Sequence, residues 1–218
     1  MKVIITGATG MVGEGVLHIC LQEPGIEEVL VIGRRSCGVQ HPRLKEIVLP
    51  DLFDLSPVEQ QLSGYDACYF CLGISSLGIS AEDYYRTTYT LTMHFGETLS
   101  RLNPQMTFCY ISGAGTDSSE KGRSRWARVK GKTENDLMKL PFRQVFGVRP
   151  GFIRAIEGLK RTNPLYKYVG WLFPFGRNLY APGFCTLEEL SKAMICLTRQ
   201  GYHQRVIEGN DIIKLAKE

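Results

Sequence analysis

The sequence predicts a doubly wound parallel α/β sheet with helices on both faces, and three observations carry that prediction. Strand-like runs alternate with helix-like runs along most of the 218 residues, as in a parallel sheet covered on both sides. The first strand runs straight into a glycine-rich turn, Lys2-Val3-Ile4-Ile5-Thr6-Gly7-Ala8-Thr9-Gly10-Met11-Val12-Gly13. Behind the turn, Val12, Val16, Ile19 and Cys20 fall at i, i+4, i+7 and i+8, and Pro24-Gly25 ends the helix so marked.

Taken in order, strands are expected at 2–6, 27–33, 45–49, 66–71, 106–111 and 143–148, with a short last strand near 205–208. Helices are expected at 11–23, 57–62, 81–102 and 125–139. Ser56-Pro57-Val58-Glu59 reads as an N-cap, a first-turn proline and a capping-box glutamate. Thr186-Leu187-Glu188-Glu189 repeats that signal without the proline, ahead of a face of Leu187, Leu190, Met194 and Leu197. In the helix over 81–102, Tyr85, Tyr89, Phe95, Leu99 and Leu102 share roughly one face and are expected to be mostly core. Between 152 and 185 the alternation stops and Pro, Gly and aromatic residues accumulate. The chain is therefore read as one domain, 1–218, with 152–185 as a substrate-side or lid segment. Its aromatic stretch from Tyr166 to Tyr180 fits either an apolar pocket or a patch packing the last helix on the sheet.

A strand, then Gly-x-x-Gly-x-x-Gly, then a helix suits a pyrophosphate. Gly7 allows the tight turn, Gly10 removes a side chain from the phosphates' path, and Gly13 lets the helix approach the sheet. The helix N-terminus adds positive potential. Thr9, Met11 and Val12 complete the turn. The second strand ends in Arg34-Arg35-Ser36, where an NAD site usually places an acidic residue against the ribose hydroxyls. Guanidiniums pair with the extra phosphate of NADP, whereas a carboxylate repels it. The expected cofactor is NADP rather than NAD.

Composition sets bounds. A hydrophobic content of 44% and a charged content of 22% are ordinary for a globular chain. A net charge of +4 suits an anionic cofactor and is too small to argue for nucleic acid. The seven cysteines show no metal-ligand spacing with histidines, so no metal is expected. Their odd number, several within apolar runs, predicts reduced thiols and a cytoplasmic protein. No apolar run has the length of a membrane span.

On these motifs the chain resembles the extended and atypical short-chain dehydrogenases/reductases, the epimerase/dehydratase-like proteins built on a Rossmann-like sheet. The resemblance rests on Thr6-Gly7-Ala8-Thr9-Gly10-Met11-Val12-Gly13, the arginine pair, Asp51-Leu52 after strand three, Cys71-Leu72-Gly73 after strand four and Arg149-Pro150-Gly151 after strand six. It implies that Asp51 bonds the adenine amino group. Cys71, Leu72 and Gly73 then form a platform beside the ribose and nicotinamide, with Pro150 and Gly151 against the nicotinamide amide. It also implies a catalytic Ser, a Tyr, and a Lys four residues beyond the Tyr. Ser112 and Lys130 match two of these, and Lys130 would also bond the nicotinamide ribose. The Tyr place holds Trp126, and an indole N–H donates but does not ionise in the working range. Tyr84 or Tyr85, near a helix start, is the candidate substitute, against the reading of that helix's aromatic stripe as mostly core. Family dimers often pair the helices near 81–102 and 125–139, so the resemblance allows a homodimer and leaves the oligomeric state open.

Three functional classes follow: an NADP-dependent oxidoreductase or epimerase-like enzyme acting on a small molecule with altered acid/base chemistry, a non-catalytic NADPH-binding sensor, and an interaction protein with a vestigial site. The first is the expected one.

Overall fold

The computed structural model describes residues 1–159, 173, 176–177 and 180–218. Seven strands form one parallel sheet in the order β3-β2-β1-β4-β5-β6-β9. They are β1 Lys2–Thr6, β2 Glu28–Gly33, β3 Leu44–Val48, β4 Ala67–Phe70, β5 Thr107–Ile111, β6 Gln144–Val148 and β9 Val206–Ile207. The strand order reverses at β1, which pairs with β2 on one side and β4 on the other. In open sheets of this kind ligands bind in the crevice at the carboxyl ends of the strands flanking such a switch.

Strand alternation divides the interior into two cores. Val3 and Ile5 point to the side covered by α1 (Met11–Gln22) and α5 (Leu187–Gln200), where they join Val16, Leu17, Leu190 and Met194. Ile4 points to the opposite side, with Phe95, Leu99 and Leu137 from α3 (Leu91–Leu102) and α4 (Arg125–Leu137). All three β1 residues are fully buried, as a central strand of a covered parallel sheet requires. The expected Rossmann-like doubly wound architecture is thus present.

Several elements differ from expectation. Ser56–Leu62 is a 3-10 helix without the capping box. Asp54 Oδ1 takes both the Ser56 N–H, at 3.1 Å, and its hydroxyl, at 2.6 Å, while Glu59 turns to Arg101 at 2.7 Å. At Thr186 the capping box does form, with Glu189 N–H donating to Thr186 Oγ1 at 3.0 Å and Thr186 N–H to Glu189 Oε2 at 2.8 Å. The helix over 81–102 is α2 (Ala81–Tyr85), a π-helical turn (Arg86–Thr90) and α3 in continuous succession. A π turn inserts an extra residue and rotates what precedes it. Phe95 and Leu99 stay buried. Tyr85 is exposed and stacks on Tyr89, with ring centroids 4.8 Å apart.

Within 152–185, β7 (Phe152–Arg154) and β8 (Phe184–Thr186) pair in parallel as a separate two-stranded sheet. Most of the aromatic stretch from 166 to 180 lies outside the described residues. The last helix is α6 (Gly209–Leu215).

Candidate functional site

The first strand delivers the glycine turn to the switch point. Gly7 has φ +71°, and a Cβ there would lie 2.7 Å from the Cys71 carbonyl oxygen. Only glycine permits both this backbone and this approach of β1 to the end of β4. A Cβ at Gly13 would stand 2.5 Å from the Gly7 carbonyl carbon and 2.8 Å from the Ala8 nitrogen, so α1 lies directly against the turn. Gly10 is different. A Cβ there would meet only the Gly7 carbonyl oxygen, at 3.4 Å, so the space it faces is free of other protein atoms. That is the cradle a pyrophosphate needs.

Around this cradle the strand ends enclose a cavity of about 290 Å³. Gly7, Thr9, Gly10, Arg34, Arg35, Leu52, Cys71, Leu72 and Gly73, all expected from the sequence, line it. Ala8, Val31, Gly33 and Ile74 also line it and were not foreseen; their signal was only adjacency to the motifs. Arg34 and Arg35 are exposed, and neither makes an ion pair among the described residues. Burial pushes the Cys71 thiol up to about 12, so this cavity wall carries no thiolate at neutral pH. Asp51 lines an adjoining cavity of about 240 Å³, which shares Arg34, Leu52, Leu72 and Ile74 with the first. Its Oδ1 accepts the Phe53 N–H at 2.9 Å. Met11, Val12 and Gly13 stand behind the turn on α1 and are absent from both linings.

Beyond β5 the loop carrying Ser112 meets α4. The Ser112 hydroxyl, expected to face a substrate, is buried and hydrogen-bonded to Glu134 Oε1 and, at 3.2 Å, to the Val148 carbonyl. Its own carbonyl accepts from Lys130 Nζ at 2.6 Å. Desolvation lowers the Lys130 pKa, with Glu134 pulling the other way. Glu134 is fully buried. It forms an ion pair with Arg149 Nη2 and also accepts from Arg149 Nε at 3.1 Å. A Cβ on Gly147 would lie 2.6 Å from the Glu134 carboxyl carbon, so β6 is kept bare for this carboxylate. Sequence reasoning missed Glu134, although i+4 from Lys130 placed it on the same helix face. Pro150 and Gly151 stand at the end of β6, where the Pro150 carbonyl accepts from Ala114 N–H at 2.9 Å. A Cβ on Gly151 would lie 2.8 Å from the Gly183 carbonyl carbon.

Trp126 is half-buried, and its ring edge packs against Gly115. Of the two tyrosines considered as substitutes, Tyr85 is exposed. Tyr84 is buried, and desolvation raises its pKa. Neither lines the two cavities. Among the described residues no group of three or more His, Cys, Asp or Glu side chains is placed to hold a metal ion, and no helix is long and apolar enough to cross a membrane. All seven cysteines are free.

The fold and the cradle define a dinucleotide-binding Rossmann-type protein. The model of the NAD dependent epimerase/dehydratase family matches residues 3–124, and the chain belongs to that family. Over the whole chain it is 23% identical to a protein of Meyerozyma guilliermondii named "Protein FMP52, mitochondrial", covering 96% of that protein. It is likewise 23% identical, over its full length and 98% of the relative, to the protein of that name from Eremothecium gossypii. Among solved structures, the Bordetella bronchiseptica enzyme WbmF in complex with NAD+ superimposes with a TM-score of 0.68 at 16% identity, covering 99% of this chain and 76% of that one. A UDP-N-acetylglucosamine 4-epimerase from Methanobrevibacter ruminantium gives 0.69 at 16% identity, with 98% and 80% covered.

These relatives correct one expectation. They are mitochondrial by name, which overturns the cytoplasmic location inferred from the cysteines. Free thiols report a reducing environment and do not say which compartment supplies it.

Proposed function

We propose that the protein is an NADP(H)-dependent oxidoreductase of the epimerase-like type, acting on a small molecule with an altered acid/base arrangement. The observation that supports this reading best is the shared cavity in which the glycine cradle faces Arg34 and Arg35. Backbone N–H groups around Gly10 would hold the pyrophosphate, and the two guanidiniums the ribose 2′-phosphate. When bound, the nicotinamide nucleotide supplies a hydride donor or acceptor.

The remaining work falls to this chain's own residues. Lys130, held by the Ser112 carbonyl, would offer its other donors to the nicotinamide ribose. Glu134 and Arg149 fix the end of β5 against β6 and keep that carbonyl in place. The described parts of 152–185, β7 and β8 among them, would stand on the substrate side of a single domain. Pro150 and Gly151 would meet the nicotinamide amide.

A second reading, a non-catalytic NADPH sensor, is favoured by one observation. The Ser112 hydroxyl is committed to Glu134 and Val148, and Trp126 offers no ionisable proton. The deciding experiment follows NADPH oxidation over a panel of aldehydes and ketones, with native protein, Trp126→Tyr, and Trp126→Tyr combined with Lys130→Met. A well-placed general acid contributes about 10²–10⁴-fold. The enzyme reading expects slow native turnover, a gain in Trp126→Tyr, and loss of that gain in the double variant. NADPH binding without turnover in any of the three would establish the sensor.

A further inference from the structure

The cavity beside the cradle contains a cation that the motifs did not reveal. Arg86, first residue of the π-helical turn, lines it together with Arg34, Asp51, Phe53, Asp83 and Leu72. Its guanidinium lies 4.8 Å from the centroid of the Phe53 ring. Phe53 is set by the Asp51 turn, through its own N–H. Arg86 is exposed, and its guanidinium makes no hydrogen bond or ion pair among the described residues.

The location is built by the helix irregularity. The π turn opens on the Arg86 carbonyl, which accepts the Leu91 N–H five residues on. Leu91 belongs to the core and also lines the cavity. At the turn's two ends, Arg86 lies over Phe53 in the loop after β3, and Leu91 is buried at the same cavity. Single π turns of this kind are frequent at functional sites.

We propose that Arg86 is a specificity residue for the purine base: its planar guanidinium, supported by Phe53 on one face, stacks on adenine with the other. This rests on the nucleotide reading above. Arg stacks on π systems through both dispersion and charge. Asp51 supplies an acceptor for the exocyclic amino group in the same cavity. The task differs from that of Arg34 and Arg35, which meet a phosphate that NADH lacks. Arg86 therefore acts on every adenine nucleotide, whatever its 2′ substituent.

Calorimetric titration of native protein, Arg86→Ala and Arg86→Lys with ADP, NADH and NADPH tests the assignment. The expected result is a loss of about tenfold for all three nucleotides in Arg86→Ala, the scale of a partly desolvated cation–π contact. The NADPH-to-NADH ratio should be unchanged. Arg86→Lys should be weakened too, because a point charge does not stack as a plane does. Unchanged affinities in Arg86→Ala would overturn the proposal and leave the nucleotide site standing. A loss confined to NADPH would also overturn it and make Arg86 a third phosphate ligand. Native protein that binds none of the three would overturn the nucleotide reading itself and the proposal with it. Thermal unfolding of each variant, expected at the native temperature, guards against misreading a misfolded protein.

Discussion

Two glycines three residues apart carry opposite expectations, and together they separate the phosphate cradle from the scaffold beneath it. Gly10 has φ −104° and ψ 165°, extended backbone open to any residue, and its added Cβ would make one ordinary contact, 3.4 Å from the Gly7 carbonyl oxygen. In Gly10→Val the fold should lose only what valine loses as an N-cap, about 1 kcal/mol, or about 2–4 °C for a chain this size. Nucleotide binding should suffer far more. The branched side chain fills the space that the phosphate oxygens need, and two charge-assisted hydrogen bonds are worth about 1.5–3 kcal/mol each. Losing both weakens NADPH binding by at least about a hundredfold. Gly13→Ala reverses the balance. Its Cβ would lie 2.5 Å from the Gly7 carbonyl carbon and 2.8 Å from the Ala8 nitrogen, so α1 must move away from the turn. Overpacking of this kind costs about 1–3 kcal/mol, or about 2–12 °C. Calorimetric titration with NADPH beside thermal unfolding reads both quantities. Gly10→Val that binds NADPH as the native protein does would refute the phosphate assignment, and Gly13→Ala that unfolds at the native temperature would refute the packing argument.

Replacing Arg34 and Arg35 together by Ala should weaken NADPH binding by about 10- to 100-fold and leave NADH unchanged, reading out as a collapsed ratio in paired titrations. Burial works against ionisation of Asp136, but Lys132, Lys139 and the Tyr89 hydroxyl outweigh it and hold its pKa at about 2, below the ordinary carboxylate value of 3.8. A depressed carboxylate stabilises the folded state above pH 3.8 and loses that contribution as pH falls toward 2. Asp136→Asn should therefore remove on the order of 1–2 kcal/mol at pH 7 and make little difference at pH 2, as urea unfolding at the two pH values would show. Arg149→Met should cost about 3–5 kcal/mol because it strands the buried Glu134 carboxylate, and adding Glu134→Gln should recover part of the loss. A single variant as stable as the native protein would mean that Glu134 finds another partner.

The parts of the fold that were legible in sequence are those whose determinants are local. The β1 turn is specified within seven residues, Gly7 to Gly13, and Thr186 with Glu189 forms its cap within four. Ser56 carries an equivalent signal and forms no such cap, because Asp54, outside the four-residue pattern, takes both its N–H and its hydroxyl. Helical periodicity placed Phe95 and Leu99 correctly. It misplaced Tyr85, since nothing in Arg86-Thr87-Thr88-Tyr89-Thr90 announces a π turn. The adjoining cavity stayed hidden for another reason. Arg86 and Phe53 are 33 positions apart and meet only through the sheet topology, so neither residue's neighbours hint at the other.

On the proposal that Trp126 occupies the phenol's place, Lys130 takes on a different task. A lysine that only acidifies a neighbouring tyrosine needs its charge close to that oxygen. Here Lys130 Nζ gives one proton to the Ser112 carbonyl at 2.6 Å. That bond anchors the ammonium to the end of β5, which the Glu134–Arg149 pair in turn ties to β6. An ammonium has three donors. With one committed to Ser112, two remain for a vicinal diol such as the ribose carries. The same anchoring makes Trp126→Tyr a fair test, because Lys130 is held by the backbone and not by the residue being exchanged. A gain in turnover would then come from the phenol itself, and its abolition by Lys130→Met with NADPH at saturation would locate the partner.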